Sequence, residues 1–277
     1  MAYENQRKPL ALGVVGAAGR MGQMLMQAIG AHDGARLGGV TEHPGHPWIG
    51  KTLAGLFPQA QTDAVIHDDP ETAFADSDAI IDFSTPASSV RHAEFAASCG
   101  KVHVIGTTGL TEEDLRQINT ASRSTVVIRA GNMSLGVNLL VKLTETVARA
   151  LGPEFDIEIV EHHHRHKVDA PSGTALMLGA SAAKGRDLMD AERAFVRGRD
   201  GITGPRETGA IGYAAVRGGD VVGEHDVIFA GPGERLFLRH VATDRNIYAH
   251  GAVNAALWGM TQKPGAYDMH DVLGLDK

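Results

Sequence analysis

The residues best suited to chemistry lie in one stretch, residues 161–175, which has the sequence EHHHRHKVDAPSGTA and contains four of the fourteen histidines. Imidazole groups give and take protons near neutral pH, and a positioned ammonium group can donate a proton, so this composition favours acid–base chemistry. Two other interpretations stay open, a zinc site and a charged surface loop without a role. Zinc is disfavoured because adjacent histidines of a strand point to opposite faces, and because Arg165 and Lys167 would repel a dication. We therefore predict no metal.

The predicted elements around this stretch explain how it could be positioned. Residues 156–160 alternate polar and β-branched side chains and predict a strand, whereas the small and apolar residues 172–186 predict a helix. Pro171 suits the first turn of that helix, and Asp169 or Ser172 can cap it.

A helix N-terminus offers unpaired N–H donors and partial positive charge, so it attracts anions. We expect a substrate carboxylate there, and therefore an acidic reactant. The residues expected around it are Ser172, Gly173, Thr174, Arg165, Lys167 and the histidines.

A second motif lies near the start of the chain. An apolar run at residues 10–15 leads into GAAGRMG at 16–22 and then a helical pattern at 23–29. Glycines at 16, 19 and 22 form a variant of the dinucleotide fingerprint, in which the backbone approaches a pyrophosphate. A second strand, 36–41, ends at Glu42, where a carboxylate would accept the ribose hydroxyls. We therefore predict nucleotide binding.

The remaining pattern predicts two parts. Strands at 79–84, 102–105 and 125–128 alternate with helices near 87–98 and 111–123, which indicates a parallel sheet. The turns after these strands, at 85–86, 106–109 and 130–133, should line the nicotinamide end. A helix at 136–151 and strands at 209–216, 221–229 and 235–242 then predict a smaller α+β domain with a mixed sheet.

The end of the chain and one connection give weaker patterns. Residues 187–207 predict a long surface loop, which could serve as an oligomer arm. The last helix, 246–261, carries an apolar face and precedes an irregular tail. The residues of that face are Ala249, Val253, Ala256, Leu257 and Met260.

Composition excludes several classes of partner. A net charge of -7 and a pI near 6.0 argue against nucleic-acid and anionic-membrane partners. Residues 1–9 are polar and no apolar run approaches the ~20 residues of a membrane span. The single cysteine, Cys99, cannot form an internal disulfide and is expected to be a small packing residue. We expect a cytoplasmic protein.

Four segments carry a resemblance to a known family. VVGAAGRMG at 14–22, GTTG at 106–109, residues 161–175 and VGEH at 222–225 together resemble the 4-hydroxy-tetrahydrodipicolinate reductase family, also called dihydrodipicolinate reductases, of lysine and diaminopimelate biosynthesis. The resemblance spans nearly the whole chain, and its most specific part is HRHKVDAPSGT at 164–174.

The resemblance implies an α/β fold with two domains. One is a Rossmann-like, parallel-sheet dinucleotide-binding domain formed by residues 1–133 and 244–277. The other is a smaller α+β domain with a mixed sheet, residues 134–243, for substrate binding and tetramerisation. The implied enzyme is a homotetrameric oxidoreductase that transfers hydride from NADH or NADPH to a cyclic imine dicarboxylate.

The resemblance also assigns residues. Proton transfer falls to His163 and Lys167. Substrate binding falls to His164, Lys167, Gly173 and Thr174, and the residue chemistry adds Arg165. Contacts with the nucleotide fall to Gly16, Ala17, Ala18, Gly19, Arg20, Met21, Glu42, Gly106, Thr107, Thr108, Ala130, Gly131, Asn132 and Met133, and we add His43.

The residue after the ribose-binding acid departs from the family pattern. Many members carry arginine there, whose fork can hold the 2′-phosphate of NADPH, but Glu42 is followed by His43. Histidine is mostly neutral at pH 7 and Glu42 repels a phosphate, so NADH should be used at least as well as NADPH. Another cation, Arg20 or Lys51, could still reach the phosphate.

Two other functions remain open from sequence. One is a nucleotide-sensing Rossmann protein without turnover, since fold alone does not imply catalysis. The other is a metal-dependent hydrolase that uses the histidine cluster. A sensor has no need of a proton donor beside the nicotinamide, so the histidines and Lys167 favour the reductase.

Overall fold

The computed structural model describes residues 8–58 and 62–275. Most of the polar start predicted for residues 1–9 therefore lies outside the described residues. The chain divides into two units, one formed by the described residues up to Met133 and from Asn246 onward, the other by Ser134–Arg245.

The first unit is built on a seven-stranded sheet in the order β12-β6-β5-β4-β1-β2-β3, and every neighbouring pair is parallel. Its strands are β1 (Leu10–Val15), β2 (Ala35–Thr41), β3 (Ile66–His67), β4 (Ala79–Asp82), β5 (Val102–Ile105), β6 (Val126–Arg129) and β12 (Gly265–Tyr267). β1, β4 and β5 are almost wholly buried, as expected for strands covered on both faces. The predicted parallel sheet is confirmed.

The helices of this unit are α1 (Arg20–Gly30), α2 (Leu53–Leu56), α3 (Pro70–Ala73), α4 (Pro86–Cys99), α5 (Glu112–Ala121), α9 (Asn246–Gly259) and α10 (Met269–Leu273). Local chemistry sets several ends. Thr111 and Asp114 form a capping box at the start of α5, and Gly100, whose φ of 67° is left-handed, caps the C-terminus of α4. Cys99, expected to be packed, is exposed at the last position of α4.

Three predictions about the end of the chain are wrong. Helix α9 stops at Gly259, so Met260 lies beyond it and is exposed. The helix is buried on more than one face, since Gly251, Ala252 and Ala255 are also buried. The tail is not irregular, because β12 adds to the sheet edge beside β6 and α10 follows it with its own capping box at Asp268.

The second unit has a five-stranded mixed sheet in the order β11-β10-β7-β9-β8. Its strands are β7 (Asp156–His163), β8 (Phe195–Val196), β9 (Ile211–Arg217), β10 (Gly223–Gly231) and β11 (Glu234–Ala242), and its helices are α6 (Leu135–Leu151), α7 (Gly173–Gly185) and α8 (Ala191–Ala194). β10 pairs antiparallel with β7 and β11, whereas β7 and β8 pair parallel with β9. The two-part α/β prediction with a mixed second sheet is confirmed.

Side chains from one face of this sheet share a core with α6 and α7, centred on Ile159, Leu178 and Phe229. The prediction of a long surface loop over residues 187–207 is wrong for its middle part, which forms α8 and β8. Phe195 stacks edge-on against Tyr213 at 5.4 Å between ring centroids, and this packing holds β8 on the sheet. None of the helices in the described parts of the chain is long and apolar enough to cross a membrane.

Candidate functional site

Strand β7 runs three residues further than predicted and carries the first half of the histidine stretch. Burial alternates along it, so Glu161 and His163 lie on the buried face and His162 on the other. The sequence did not reveal this alternation of buried and exposed positions, because the buried residues Glu161 and His163 are polar. Because Glu161 and His163 share a face two residues apart, Oε2 of Glu161 accepts a hydrogen bond from Nδ1 of His163 at 2.5 Å.

Arg217, the last residue of β9, is the ionic partner of Glu161. Its two terminal nitrogens donate to the two carboxylate oxygens, each at 2.7 Å, and it also donates to the backbone oxygen of Asp169. Burial would raise the pKa of Glu161, but hydrogen bonds from Arg217 and His163 outweigh it and hold that pKa below its usual value. Glu161 is therefore ionised at neutral pH.

For the pKa of His163, burial outweighs the effect of the charged partner. Burial, the larger effect, lowers its pKa, and Glu161 only partly offsets this by stabilising the charged ring. Gly223 leaves room beside the other ring nitrogen, since a Cβ at that position would be 3.0 Å from Nε2 of His163. The site thus contains a nearly buried imidazole with one nitrogen fixed by a carboxylate and the other unobstructed by Gly223.

The N-terminus of α7 belongs to the same cluster. Ser172 caps the helix by accepting the Ala175 N–H, and its own N–H donates to Oε1 of Glu161 at 3.1 Å. The Ser172 hydroxyl also shares a 3.0 Å hydrogen bond with Nε2 of His225. His225 is buried on β10 with its ring 5.1 Å from that of His163, and burial lowers its pKa to about 4.

The loop between β7 and α7 places the remaining predicted residues. Asp169 does not cap α7; its carboxylate instead accepts a 2.8 Å hydrogen bond from Lys167, and Lys167 holds the pKa of that carboxyl below its usual value. Pro171 does not begin the helix, which starts at Gly173. The side chain of Arg165 is exposed, and its backbone N–H donates to Gly219.

The predicted substrate residues are thus grouped by one loop and one helix end. Gly173 is exposed and Thr174 half-buried in the first turn of α7, and His164 is half-buried with its Nδ1 enclosed. Two residues that organise the group, Arg217 and His225, were not predicted as site residues. The VGEH segment offered a signal for His225, but nothing local marked Arg217.

In the first unit, the glycine turn has the shape that a pyrophosphate site needs. Gly16 has a φ of 75°, and a Cβ at Gly22 would be 2.1 Å from the Gly16 carbonyl oxygen, so α1 can pack on this turn only with glycine there. No side chain caps α1 at Gly19 and no acid lies in its first turn. The N–H groups of this helix end therefore suit an anion.

Glu42 lies at the carboxyl end of β2, next to this turn. One oxygen accepts the Ala18 N–H at 2.7 Å and the other accepts the His43 N–H at 3.0 Å, which fixes the carboxylate. Glu42 and His43 line a cavity of about 600 Å³ together with Gly16, Ser84, Thr85 and Arg91. In this cavity Arg91 is the lining cation, and neither Arg20 nor Lys51, the two cations considered from sequence, is among its lining residues.

A second cavity, of about 270 Å³, is lined by residues from two of the three turns predicted for the nicotinamide end, whereas Thr85 of the third turn lines the first cavity. The second cavity is lined by Met21, Phe83, Gly106, Ala130, Gly131, Asn132, Met133 and Tyr248. Sequence reasoning missed Phe83 and Tyr248. Thr107 contributes no free hydroxyl here, because its Oγ1 accepts hydrogen bonds from the Ser84 N–H at 3.0 Å and the Ser89 hydroxyl at 2.8 Å.

A buried carboxylate connects the turns beneath these cavities. One oxygen of Asp82, at the end of β4, accepts hydrogen bonds from the backbone N–H and the hydroxyl of Ser84. The other lies 3.4 Å from His92 and 3.6 Å from His103. Burial would raise the pKa of Asp82, but its histidine partners keep it well below the usual range.

One group of possible metal ligands occurs in the described residues, formed by Glu42, His43 and His46, whose ligand atoms lie within 4.8 Å of one another. Backbone N–H groups already occupy both Glu42 oxygens and Nδ1 of His46. This leaves His46 with its proton on Nε2, which is poorly suited to bind a metal.

The chain resembles known proteins along nearly its whole length. Residues 10–133 match the family model described as dihydrodipicolinate reductase, N-terminus, and residues 136–273 match its C-terminus. The chain is 59% identical over 262 residues to 4-hydroxy-tetrahydrodipicolinate reductase of Dinoroseobacter shibae, covering 95% of this chain and 97% of the relative. It is 54% identical over 268 residues to the enzyme of that name from Brucella abortus, covering 96% and 100%.

A solved structure extends the match to the fold. Dipicolinate-bound dihydrodipicolinate reductase from Paenisporosarcina sp. TG-14 superposes with a TM-score of 0.75 at 25% identity, covering 94% of this chain and 97% of that one. Both family models together span nearly all of the described residues. The chain therefore belongs to the dihydrodipicolinate reductase family of oxidoreductases.

Proposed function

We propose that this protein reduces the cyclic imine dicarboxylate 4-hydroxy-tetrahydrodipicolinate to tetrahydrodipicolinate, with loss of water, in lysine and diaminopimelate biosynthesis. The observation that carries the proposal is the grouping of His163, Lys167 and the α7 N-terminus around one carboxylate-organised cluster. Such a group can bind an anion and deliver a proton to it. The names of the relatives support the choice of substrate.

The first unit would hold the cofactor, NADH or NADPH, which supplies a hydride when bound. The turn at Gly16–Met21 would take the pyrophosphate, because no side chain caps α1 there, and Glu42 would accept the ribose hydroxyls. The cavity lined by Gly106 and residues 130–133 would receive the nicotinamide.

The second unit would hold the dicarboxylate. The carboxylate would lie at the first turn of α7, which contains Gly173 and Thr174 and where the helix dipole favours negative charge. Lys167, His164 and Arg165 would add cationic or donor groups from the preceding loop. The Paenisporosarcina reductase binds dipicolinate, which is a planar analogue of such a substrate.

His163 or Lys167 would deliver the proton. Hydride addition leaves negative charge on the ring nitrogen, and a positioned acid quenches it. His163 can serve because Glu161 favours its charged form, whereas Lys167 carries an ammonium group that contacts Asp169 only at the surface of the loop.

The test is oxidation of NADH or NADPH, followed by absorbance, when the purified protein receives the condensation product of pyruvate and aspartate semialdehyde. We expect turnover in protein stripped of metal by a chelator. Nucleotide binding without turnover would support the sensor instead, and turnover that depends on bound zinc or iron would support metal chemistry.

We also propose that the second unit forms a homotetramer through the open face of its sheet. One face packs on α6 and α7, but the other carries Val216, Phe237 and Val241, which are each 45–57% exposed. Arg239 on this face pairs with Glu224 and Asp226, which partly neutralises their charge and suits the surface to a second copy.

Light scattering after size exclusion tests the assembly. Phe237→Glu should give a smaller species, while the same change at the exposed Met260 of the first unit should leave the mass unchanged. A monomeric wild type would refute the proposal. As a biosynthetic enzyme that consumes reduced nicotinamide, the protein is proposed to act in the cytoplasm.

A further inference from the structure

We propose that Glu161 is a positioning residue: it fixes the ring of His163 and the first turn of α7 as one unit, so that Nε2 of His163 is presented to the bound dicarboxylate. This inference rests on the proposed function, in which His163 is the acid. It adds a residue that neither the sequence motifs nor the names of the relatives assign.

The hydrogen bonds of Glu161 account for both of its oxygens. Oε1 accepts from the Ser172 N–H and from Arg217, and Oε2 accepts from Arg217 and from Nδ1 of His163. An ionised carboxylate only accepts, so Nδ1 of His163 must carry the proton. The exchangeable proton of the charged ring is therefore the one on Nε2, beside Gly223.

The same carboxylate sets the direction of the helix end. Ser172 donates its backbone N–H to Glu161 and uses its hydroxyl to cap the Ala175 N–H. The first turn of α7, which begins at Gly173, is thereby held beside His163. Acid and anion site thus share one fixed support, and a single substitution should uncouple them.

The charged and titratable groups around His163 come from four elements. Glu161 on β7 favours protonation of the ring, whereas Arg217 on β9 and Lys167 in the loop oppose it, and burial lowers its pKa most. His225 on β10 packs against the ring, with its own pKa lowered to about 4 by burial, so it is neutral at working pH. Glu161 is the group among these that stabilises the acid form.

The β7 strand provides a matched control. Glu158 lies on the opposite face and is held by Arg199 and Arg206, so it has a similar arginine–carboxylate pairing without a histidine. A purely structural role for such pairs would make Glu158→Gln and Glu161→Gln behave alike.

The experiment combines kinetics with ¹⁵N-histidine NMR of the full chain, using His163→Ala to assign the His163 signals. For wild type we expect the proton on Nδ1 of His163 throughout the neutral form. In Glu161→Gln the amide competes as a donor, so the Nε2–H form should appear. We expect kcat to fall between about 10-fold and 10⁴-fold with KM changed less than about threefold.

The pH profile separates positioning from damage. An acid must be protonated, so kcat/KM falls as pH rises through its pKa, and this fall should begin at lower pH in Glu161→Gln. Arg217→Gln removes a charge that opposes protonation and should move the fall to higher pH. Glu161→Asp keeps the charge and should return the profile toward wild type, while Glu158→Gln should leave it unchanged.

The proposal is overturned if Glu161→Gln keeps both the Nδ1–H form and the wild-type pH profile, or if Glu158→Gln has the same effect. If wild type shows no turnover, the proposed function fails, but the NMR spectra still decide whether Glu161 fixes the ring.

Discussion

Two buried carboxylates, Asp82 and Glu161, both lie next to histidines at or near the carboxyl end of a strand, yet their partners differ. Asp82 hydrogen-bonds both donors of Ser84 and keeps its histidines at 3.4 and 3.6 Å. Glu161 has a forked arginine and a histidine at 2.5 Å. Asp82 therefore links the turn at Ser84 to α4 and β5, whereas Glu161 orients His163, the proposed acid, and the distinction lies in partners that come from other elements.

The histidines of the two clusters should differ most in catalysis. We expect His163→Ala to lower kcat by about 10²–10⁴-fold with little change in KM, because it removes an acid. Lys167→Ala should lower kcat and raise KM, since the ammonium would also hold a carboxylate. His103 is the counterpart of His163 beside Asp82, and His103→Ala should lower stability but keep kcat within a few-fold. Steady-state kinetics with a melting curve checks all three, and a near-normal kcat in His163→Ala would contradict the comparison.

The next largest effect should be on the choice between NADH and NADPH, which we assign to Glu42 and His43. We expect NADH to be used at least as well as NADPH, because Glu42 repels a 2′-phosphate and His43 is not an arginine. His43→Arg should shift preference toward NADPH, because the arginine fork can hold the 2′-phosphate. The measurement is kcat/KM for both cofactors between about pH 6 and 8.

Arg91 sharpens that test because it lines the same cavity as Glu42 and His43. If Arg91 supports a phosphate, Arg91→Ala should weaken NADPH more than NADH. A tenfold or larger preference of wild type for NADPH at the alkaline end would refute our interpretation of Glu42 and His43.

A smaller effect is expected on inhibitor binding at the first turn of α7, where the substrate carboxylate would lie. Pyridine-2,6-dicarboxylate should compete with substrate, because it presents two carboxylates to Lys167 and the first turn of α7. Thr174→Val should weaken this inhibition by roughly 0.5–1.5 kcal/mol, or up to about 3 kcal/mol if the hydroxyl makes a charge-assisted bond. Inhibition constants for the two proteins check this, and equal constants would place the carboxylate elsewhere.

The smallest effect concerns stability against pH. Burial lowers the pKa of His225 from 6.5 to about 4, so between those values the unfolded chain binds a proton that the folded chain excludes. This contribution is fully present above pH 6.5 and is lost as pH falls toward 4. His225→Gln should therefore lose less melting temperature than wild type between pH 7 and 5. A loss equal to that of wild type would show that His225 does not contribute.

These clusters also mark how far sequence reasoning reached. The apolar runs at β1, β4 and β5 alternate with helical segments, and this alternation predicted the parallel sheet. The end of β7 was missed because Glu161 and His163, though buried, are polar. Ser172 was found as a cap from its type and place before a helix, together with Asp169, which proved to pair with Lys167.

The parts that escaped prediction depend on distant pairing. Arg217 is 56 positions from Glu161 and reaches it only because β9 lies beside β7. Arg91 and Tyr248 line cavities that form when helices pack on the sheet, and β12 depends on an open edge beside β6. No local pattern in the sequence encodes such neighbours. Residue types and spacings therefore predicted which groups could do chemistry, but not the residues that hold those groups in place.

The most direct test of the comparison measures kcat at saturating cofactor and the melting temperature for Glu161→Gln and Asp82→Asn side by side. We predict that Glu161→Gln loses at least about tenfold in kcat while Asp82→Asn lowers the melting temperature but keeps kcat within a few-fold. Equal losses of kcat in the two variants, or a greater loss in Asp82→Asn, would contradict the account.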